Sequence, residues 1–135
     1  MASPVQTPNQ KFTLADWCVT EEKIVEAVER IIAVANPIKI IAFGSRARGD
    51  FRPESDLDLA VMFEQLDPSQ PRPINRATLR DIVMPIDLLA FDTERYDLFR
   101  TSPNSVYYGI EHEGITLYDR NHDKSANRIA VKKLV

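Results

Sequence analysis

The 135-residue sequence predicts a small α/β domain of the α+β kind, with one mixed sheet and helices packed mainly on one side. Three observations predict it. Amphipathic stretches and short β-branched runs succeed one another as helix, strand, loop, strand, helix, strand, helices and a short strand. At 44% hydrophobic and 27% charged, the chain can bury a core, and its length suits one domain. Two of the apolar runs also carry embedded aspartates, Asp56 and Asp58 in one and Asp87 in another.

Residues 1–19, with Pro4 and Pro8, read as an irregular leading segment. Thr20 is a candidate N-cap for the helix "EEKIVEAVERIIAVA", whose Ile24, Val28, Ile31, Ile32 and Ala35 recur at helical spacing. Glu21 and Glu22 suit its first turn, and Asn36-Pro37 ends it. "IKIIAF", 38–43, is a buried strand, and "DLDLAVMF", 56–63, is a second. The spacing leaves open whether these two run parallel or antiparallel. "DPSQPRP", 67–73, is a proline-broken loop. "INRATLRDIVM", 74–84, reads as a helix with Ile74, Leu79, Ile82 and Val83 inward. "PIDLLAF", 85–91, is a third strand, and Asp92 caps a short helix through Phe99. Ser102-Pro103 opens a further helix that Gly114 ends, and "ITLYD" closes the domain at 119. Residues 120–135 form a basic tail.

The net charge of −3 is unevenly placed. The tail carries Arg120, Lys124, Arg128, Lys132 and Lys133 against Asp123 alone, so the preceding residues hold a net −7. Such a segment suits an anionic partner or nucleic acid, or else is a solvated end. The single Cys18 leaves no internal disulfide. The opening residues lack the pattern of a signal peptide, and no apolar run is long enough to span a bilayer. These features predict a cytoplasmic protein.

Alternate side chains of a strand share a face, which puts Asp56 and Asp58 on one side about 7 Å apart. Asp87, mid-strand in the next apolar run, can lie beside them. Two like charges roughly 4 Å apart repel by about 4 kcal/mol near a protein surface. Three carboxylates can instead hold two Mg²⁺ ions roughly 3.5–4 Å apart, the arrangement used in phosphoryl chemistry. Mg²⁺ takes oxygen ligands and fills its shell with waters and substrate phosphates. An exposed strand edge would place further polar residues on that face, yet Ala60 and Met62 follow.

Gly44-Ser45 stands directly after the first buried strand. Glycine lets backbone approach a ligand closely, and backbone N–H groups at such a turn make an anion site. Arg46 and Arg48 stand close enough in sequence to help neutralise a triphosphate, or are solvated loop charges. A P-loop reading fails because Asp50 follows Gly49 where lysine is required. A calcium loop from Asp56 fails at Ala60 and Val61. His112 and His122 read as surface groups. Trp17, Tyr107 and Tyr108 read as packing residues before they read as adenine stackers. Arg76 and Arg80, one helical turn apart, make an exposed face.

"GSRARGDFRPESDLDLAV", 44–61, resembles the signature of the DNA polymerase beta-like nucleotidyltransferase superfamily: Gly-Ser, ten residues, Asp-x-Asp. The short length and "GIEHEGITLYD" resemble its minimal nucleotidyltransferase branch, members of which act as antitoxins of HEPN-domain RNase toxins. The resemblance covers about residues 20–119. It implies that Gly44 and Ser45 hold the nucleoside triphosphate and that Asp56 and Asp58 bind two Mg²⁺ ions. Asp87 would be the third carboxylate, binding the catalytic metal and orienting the acceptor hydroxyl. The implied reaction is transfer of AMP from ATP to a hydroxyl, a tyrosine of a cognate HEPN RNase toxin, with no direct nucleic-acid or membrane partner. Transfer to a small molecule such as an aminoglycoside, and a toxin-binding module without catalysis, are the alternatives.

Overall fold

The computed structural model describes residues 14–135; the reading of residues 1–19 as irregular lies outside the described residues over 1–13 and does not hold at Leu14–Trp17, which is helical. A short helix α1 (Leu14–Trp17) precedes the long α2 (Glu21–Ala35). Thr20 caps α2 by accepting from the Lys23 N–H at 3.2 Å, and Asn36 closes it in the left-handed region at φ 48°. Strand β1 (Lys39–Phe43) runs into α3 (Gly44–Arg48), and β2 (Leu57–Phe63) follows. A 3₁₀ turn at Arg76–Leu79 leads to β3 (Ile86–Asp92), α4 (Thr93–Phe99), α5 (Val106–Glu113), β4 (Ile115–Asp119) and α6 (Arg128–Lys132).

The four strands form one mixed sheet in the order β3-β2-β1-β4. β1 is antiparallel to both β2 and β4, which settles the pairing the sequence left open, while β2 and β3 run parallel. The larger core covers one face, where Ile24, Val28 and Ile31 of α2 meet Ile40, Leu59 and Val61. A smaller cluster on the other face joins Ile41, Ala60, Met62 and Phe91 to Tyr107 and Ile110 of α5. Gly114 is fixed by that second layer. A Cβ there would lie 2.4 Å from the Ile110 carbonyl oxygen and 2.6 Å from Ile41 Cγ2.

Three further local expectations change. The helix expected over 74–84 is only the 3₁₀ turn; Ile74, Leu79 and Ile82 are buried as its periodicity foretold, whereas Val83 is only half-buried and Met84 is buried instead. Pro71 and Pro73 break the chain before it and Pro85 restricts the backbone after it. Asn75 and Thr78 then bond each other's backbone in a reciprocal cap. The cap of α5 is Ser105, accepting from the Tyr108 N–H, and not Ser102.

The third change is at the basic tail, which packs against the body. Ala126, Ala130, Val131 and Leu134 are buried in the main core. Asn127 caps α6 through the Ala130 N–H, the Ala126 N–H donates to Glu29, and the Asn127 N–H donates to the Leu117 carbonyl. Arg128 and Lys132 stay outside on a helix whose Ala130 and Val131 face in. Leu134→Ala is expected to cost about 3 kcal/mol, in the range for fully buried leucines. Ile129→Ala, at a position 76% exposed, should stay within about 0.5 kcal/mol. Urea unfolding of the two variants measures the contrast; equal small effects would show that the tail is not docked.

Candidate active site

The sheet order brings the singled-out residues together at one end. β1 ends where β2 begins, so Phe43 pairs with Asp58 and the chain turns into α3 directly beside that aspartate. Parallel β3 starts at the same end, with Asp87 opposite Asp58. Asp58 and Asp87 therefore project from neighbouring strands on one face, the face of the smaller cluster. Asp56 stands just before β2. Asp56 and Asp87 are exposed and Asp58 is half-buried.

Gly44 is the hinge of this arrangement. It takes φ +74°, which side chains disfavour, and a Cβ at this position would lie 2.2 Å from Asp58 Oδ2. The glycine thus lets the first turn of α3 close onto the carboxylate. No side chain caps that turn, so its leading N–H groups remain available at the site.

Asp58 sits in an uncomfortable field. Burial pushes its pKa up to about 6, and the like charges of Asp87 and Asp56 and a hydrogen bond with Asp87 add to the shift, against the opposing pull of Arg48. A carboxylate held against two others in this way suits a divalent cation, and an oxygen-only donor set suits Mg²⁺ over softer metals. Among the described residues no three carboxylate, imidazole or thiol groups converge into a complete ligand set. The fit is that of a pair, Asp58 and Asp87, with Asp56 adjoining, and Mg²⁺ commonly takes its remaining ligands from water and phosphate.

The two arginines separate. Arg48 is exposed, pairs with Asp50 at 3.4 Å and Glu113 at 3.8 Å, and stays at the rim of the carboxylates. Arg46 departs from the expected phosphate contact. It is buried and turned inward, donating to the carbonyls of Ser55, Leu134, Arg52 and Pro53, with Phe51 under its guanidinium. Its neighbour Ser45 is half-buried in α3.

Asp92 lies off the site, accepting from the N–H groups of Arg95 and Leu66, which makes it a helix cap. Tyr107 belongs to the core, Tyr108 stacks on His112, and both histidines are exposed. Sequence reasoning missed an open cavity of about 850 Å³ along β3, lined by Leu89, Phe91 and Tyr107 with Arg72 and Arg95. Leu89 and Phe91 continue the face of Asp87. The only sequence signal was the proline-rich loop, whose path forms the opposite wall.

Residues 22–123 match the profile of the family described as polymerase beta, nucleotidyltransferase. The chain belongs to that family, and it carries a nucleotidyltransferase domain. Among curated proteins no sequence matches it. Among solved structures it is similar to a candidate nucleotidyltransferase from Sulfolobus solfataricus, at 16% identity over 90% of this chain and 98% of that one, with a TM-score of 0.48. Among the described residues no helix is long and apolar enough to cross a membrane.

The raised Asp58 pKa fixes a pH dependence. In the metal-free protein the native state holds a proton between about pH 4 and pH 6 that the unfolded chain has released. The stability this gives is present below about pH 4 and is lost as pH rises through about 6. Taken at face value the loss is about 3 kcal/mol, and screening at this half-exposed group reduces it to about 1–2 kcal/mol. Asp58→Asn should recover that amount at pH 7.5 in chelator and gain nothing at pH 3.5. Thermal melts at the two pH values read the difference; an equal effect at both would refute the electrostatic account. Gly44→Ala should destabilise by about 1–3 kcal/mol through its positive φ and its clash with Asp58. Asp58→Ala in the same chain should remove only the clash, which a double-mutant cycle measures.

Proposed function

We propose that the chain transfers AMP from ATP, with Mg²⁺, to a hydroxyl of a protein acceptor. The observation that carries the reading is Asp58 pressed between the uncapped turn at Gly44 and the carboxylate of Asp87. Backbone N–H groups at Gly44-Ser45 suit the β- and γ-phosphates, and Arg48 adds positive charge at the rim. Magnesium at Asp58, Asp87 and Asp56 would neutralise charge on the attacking and leaving oxygens. The acceptor oxygen bonds to the α-phosphorus as the α–β anhydride bond breaks. Pyrophosphate departs with the bonding electrons. The hydroxyl proton leaves toward Asp87 or solvent.

In-line displacement places nucleophile and leaving group on opposite sides of the phosphorus. With pyrophosphate at α3 beside β1, the acceptor must come from the β3 side. That side holds exposed Asp87 and the open cavity, with Arg72, Arg95 and aromatic side chains in its walls. The cavity is open to solvent, so the acceptor brings its own surface to close it, which favours a folded protein over a small molecule. The resemblance of "GSRARGDFRPESDLDLAV" and "GIEHEGITLYD" to the minimal branch points to a HEPN-domain RNase toxin and to a tyrosine of it. AMP there would add negative charge and bulk where the toxin must take anionic RNA, and the protein would act as the antitoxin.

Purified protein, Mg-ATP and the candidate toxin should give toxin heavier by whole AMP units in mass spectrometry. Asp56→Asn with Asp58→Asn should abolish labelling, and Asp87→Asn should lower turnover by about 10²-fold or more while nucleotide binding survives. Asp92→Ala should cost only about 1 kcal/mol as a lost cap and keep activity. Inhibition of the toxin with no mass change, undiminished in the double mutant, would leave a binding module without catalysis.

A further inference from the structure

Arg46 stands one residue beyond Ser45 and is 2% exposed, the sole charged side chain buried to that degree among the described residues. A buried guanidinium is tolerated only when its donors are satisfied. Here they are. Nε donates to the Ser55 carbonyl at 3.1 Å, and one terminal nitrogen donates to the Leu134 carbonyl at 2.8 Å. The other reaches the carbonyls of Pro53 at 3.0 Å and Arg52 at 3.3 Å. The Phe51 ring lies 4.5 Å below the guanidinium carbon. Every acceptor is main chain. Arg46 therefore fixes the path of the backbone, and all four of its hydrogen bonds are spent on main chain.

The three stretches it joins are not neighbours by chance. α3 carries Gly44 and Ser45. The stretch from Arg52 to Ser55 runs directly into Asp56 and Asp58. Leu134 belongs to the docked C-terminal segment and is itself fully buried. We propose that Arg46 is a positioning residue for nucleotidyl transfer. It holds the phosphate-binding turn in register with the carboxylates of Asp56 and Asp58, using the Leu134 carbonyl as its anchor in the core. The segment around α6 is thereby part of the working site. This inference rests on the proposed transfer reaction.

The geometry gives the reason the tie matters. Gly44 and Asp58 meet with no room for a methyl group, so their separation has little slack. The 50–56 stretch contains no helix or strand to hold it otherwise. A misplacement of about 1 Å between reacting groups can cost about 10²-fold in rate. Lysine cannot substitute: one ammonium has three donors from a single point, against a planar fork that spans four carbonyls here.

The test uses the full chain with Arg46→Met and Arg46→Lys. Melting temperature and circular dichroism define the folded fraction, and kinetics are expressed per folded molecule. In both variants kcat should fall by about 10²-fold, with Arg46→Lys failing to rescue. A merely structural role would change the folded fraction and leave kcat per folded molecule intact. Amide hydrogen exchange reads the tie without reference to catalysis: both variants should speed exchange over 50–56 and over 128–135 together. If Arg46→Met does not fold, Arg46→Lys carries the same two readouts. Faster exchange in both segments with kcat and KM within twofold of the parent overturns the positioning role. Exchange that changes in neither segment overturns the tie. A parent protein that transfers no nucleotide overturns the proposed reaction and the catalytic half of the inference, while exchange still decides whether Arg46 joins the two segments.

Discussion

The contact between Gly44 and the carboxylate of Asp58 is the constraint from which the rest of the site follows. To bring a helix turn that close to a charged oxygen, the chain needs a residue without a side chain and with φ in the left-handed region. It needs β1 and β2 antiparallel, so that the end of one meets the start of the other. It needs a parallel β3 to set a second carboxylate beside the first. The parallel pair in turn requires a long crossover from β2 to β3, and the proline-rich stretch and its 3₁₀ turn supply it. The cost of the arrangement is a carboxylate whose pKa rises to about 6. Charge held at that cost suits chemistry on another charge, as perturbed groups at functional sites generally do.

The sequence made the regular elements legible where pattern and local chemistry agreed. Thr20 and Asn36 bound α2 as expected, because cap preferences and helical periodicity both point to the same ends. The separation of roles between Asp87 and Asp92 was legible too. One stands inside an apolar strand, the other at its end, and the structure gives Asp92 the capping bond. Reading failed where tertiary packing overrode composition. Residues 74–84 have helical spacing, but between the flanking prolines they form only a 3₁₀ turn, so Ile74, Leu79 and Ile82 are buried from turns. The C-terminal residues read as a charged tail because lysines and arginines outnumber the few apolar positions. What docks them is Ala126, Ala130, Val131 and Leu134 meeting a core contributed by distant residues, which no local pattern displays.

Arg46 shows the same limit at the site itself. Two arginines in "GSRARG" are equivalent as text, and charge alone assigns both to a triphosphate. The helix separates them. Arg46 faces the core and Arg48 faces the carboxylates, because residues two apart on a helix do not share a face. The inward position is tolerable because a loop without regular structure brings the carbonyls of Arg52, Pro53 and Ser55 within reach and the C-terminal segment adds that of Leu134. Without Arg46 the Leu134 carbonyl, whose bond is the buried one, would lose that partner at about 1–3 kcal/mol. The buried charge and the irregular loop therefore justify each other, and neither is readable from its own segment.

The distribution of order within the domain follows from these ties. Helices α2 and α6 cover one sheet face with most of the core, while the other face is covered in part, by α4 and α5. The carboxylates emerge on the thinly covered face, at the end where that layer stops. A fully covered face would bury three like charges and leave no approach for phosphate or acceptor. An uncovered sheet would lose the apolar support that raises Asp58 above its ordinary range. The second layer is thick enough to desolvate one carboxylate and short enough to leave Asp56 and Asp87 open. Access from the β3 edge is thus a consequence of how little of that face the chain covers.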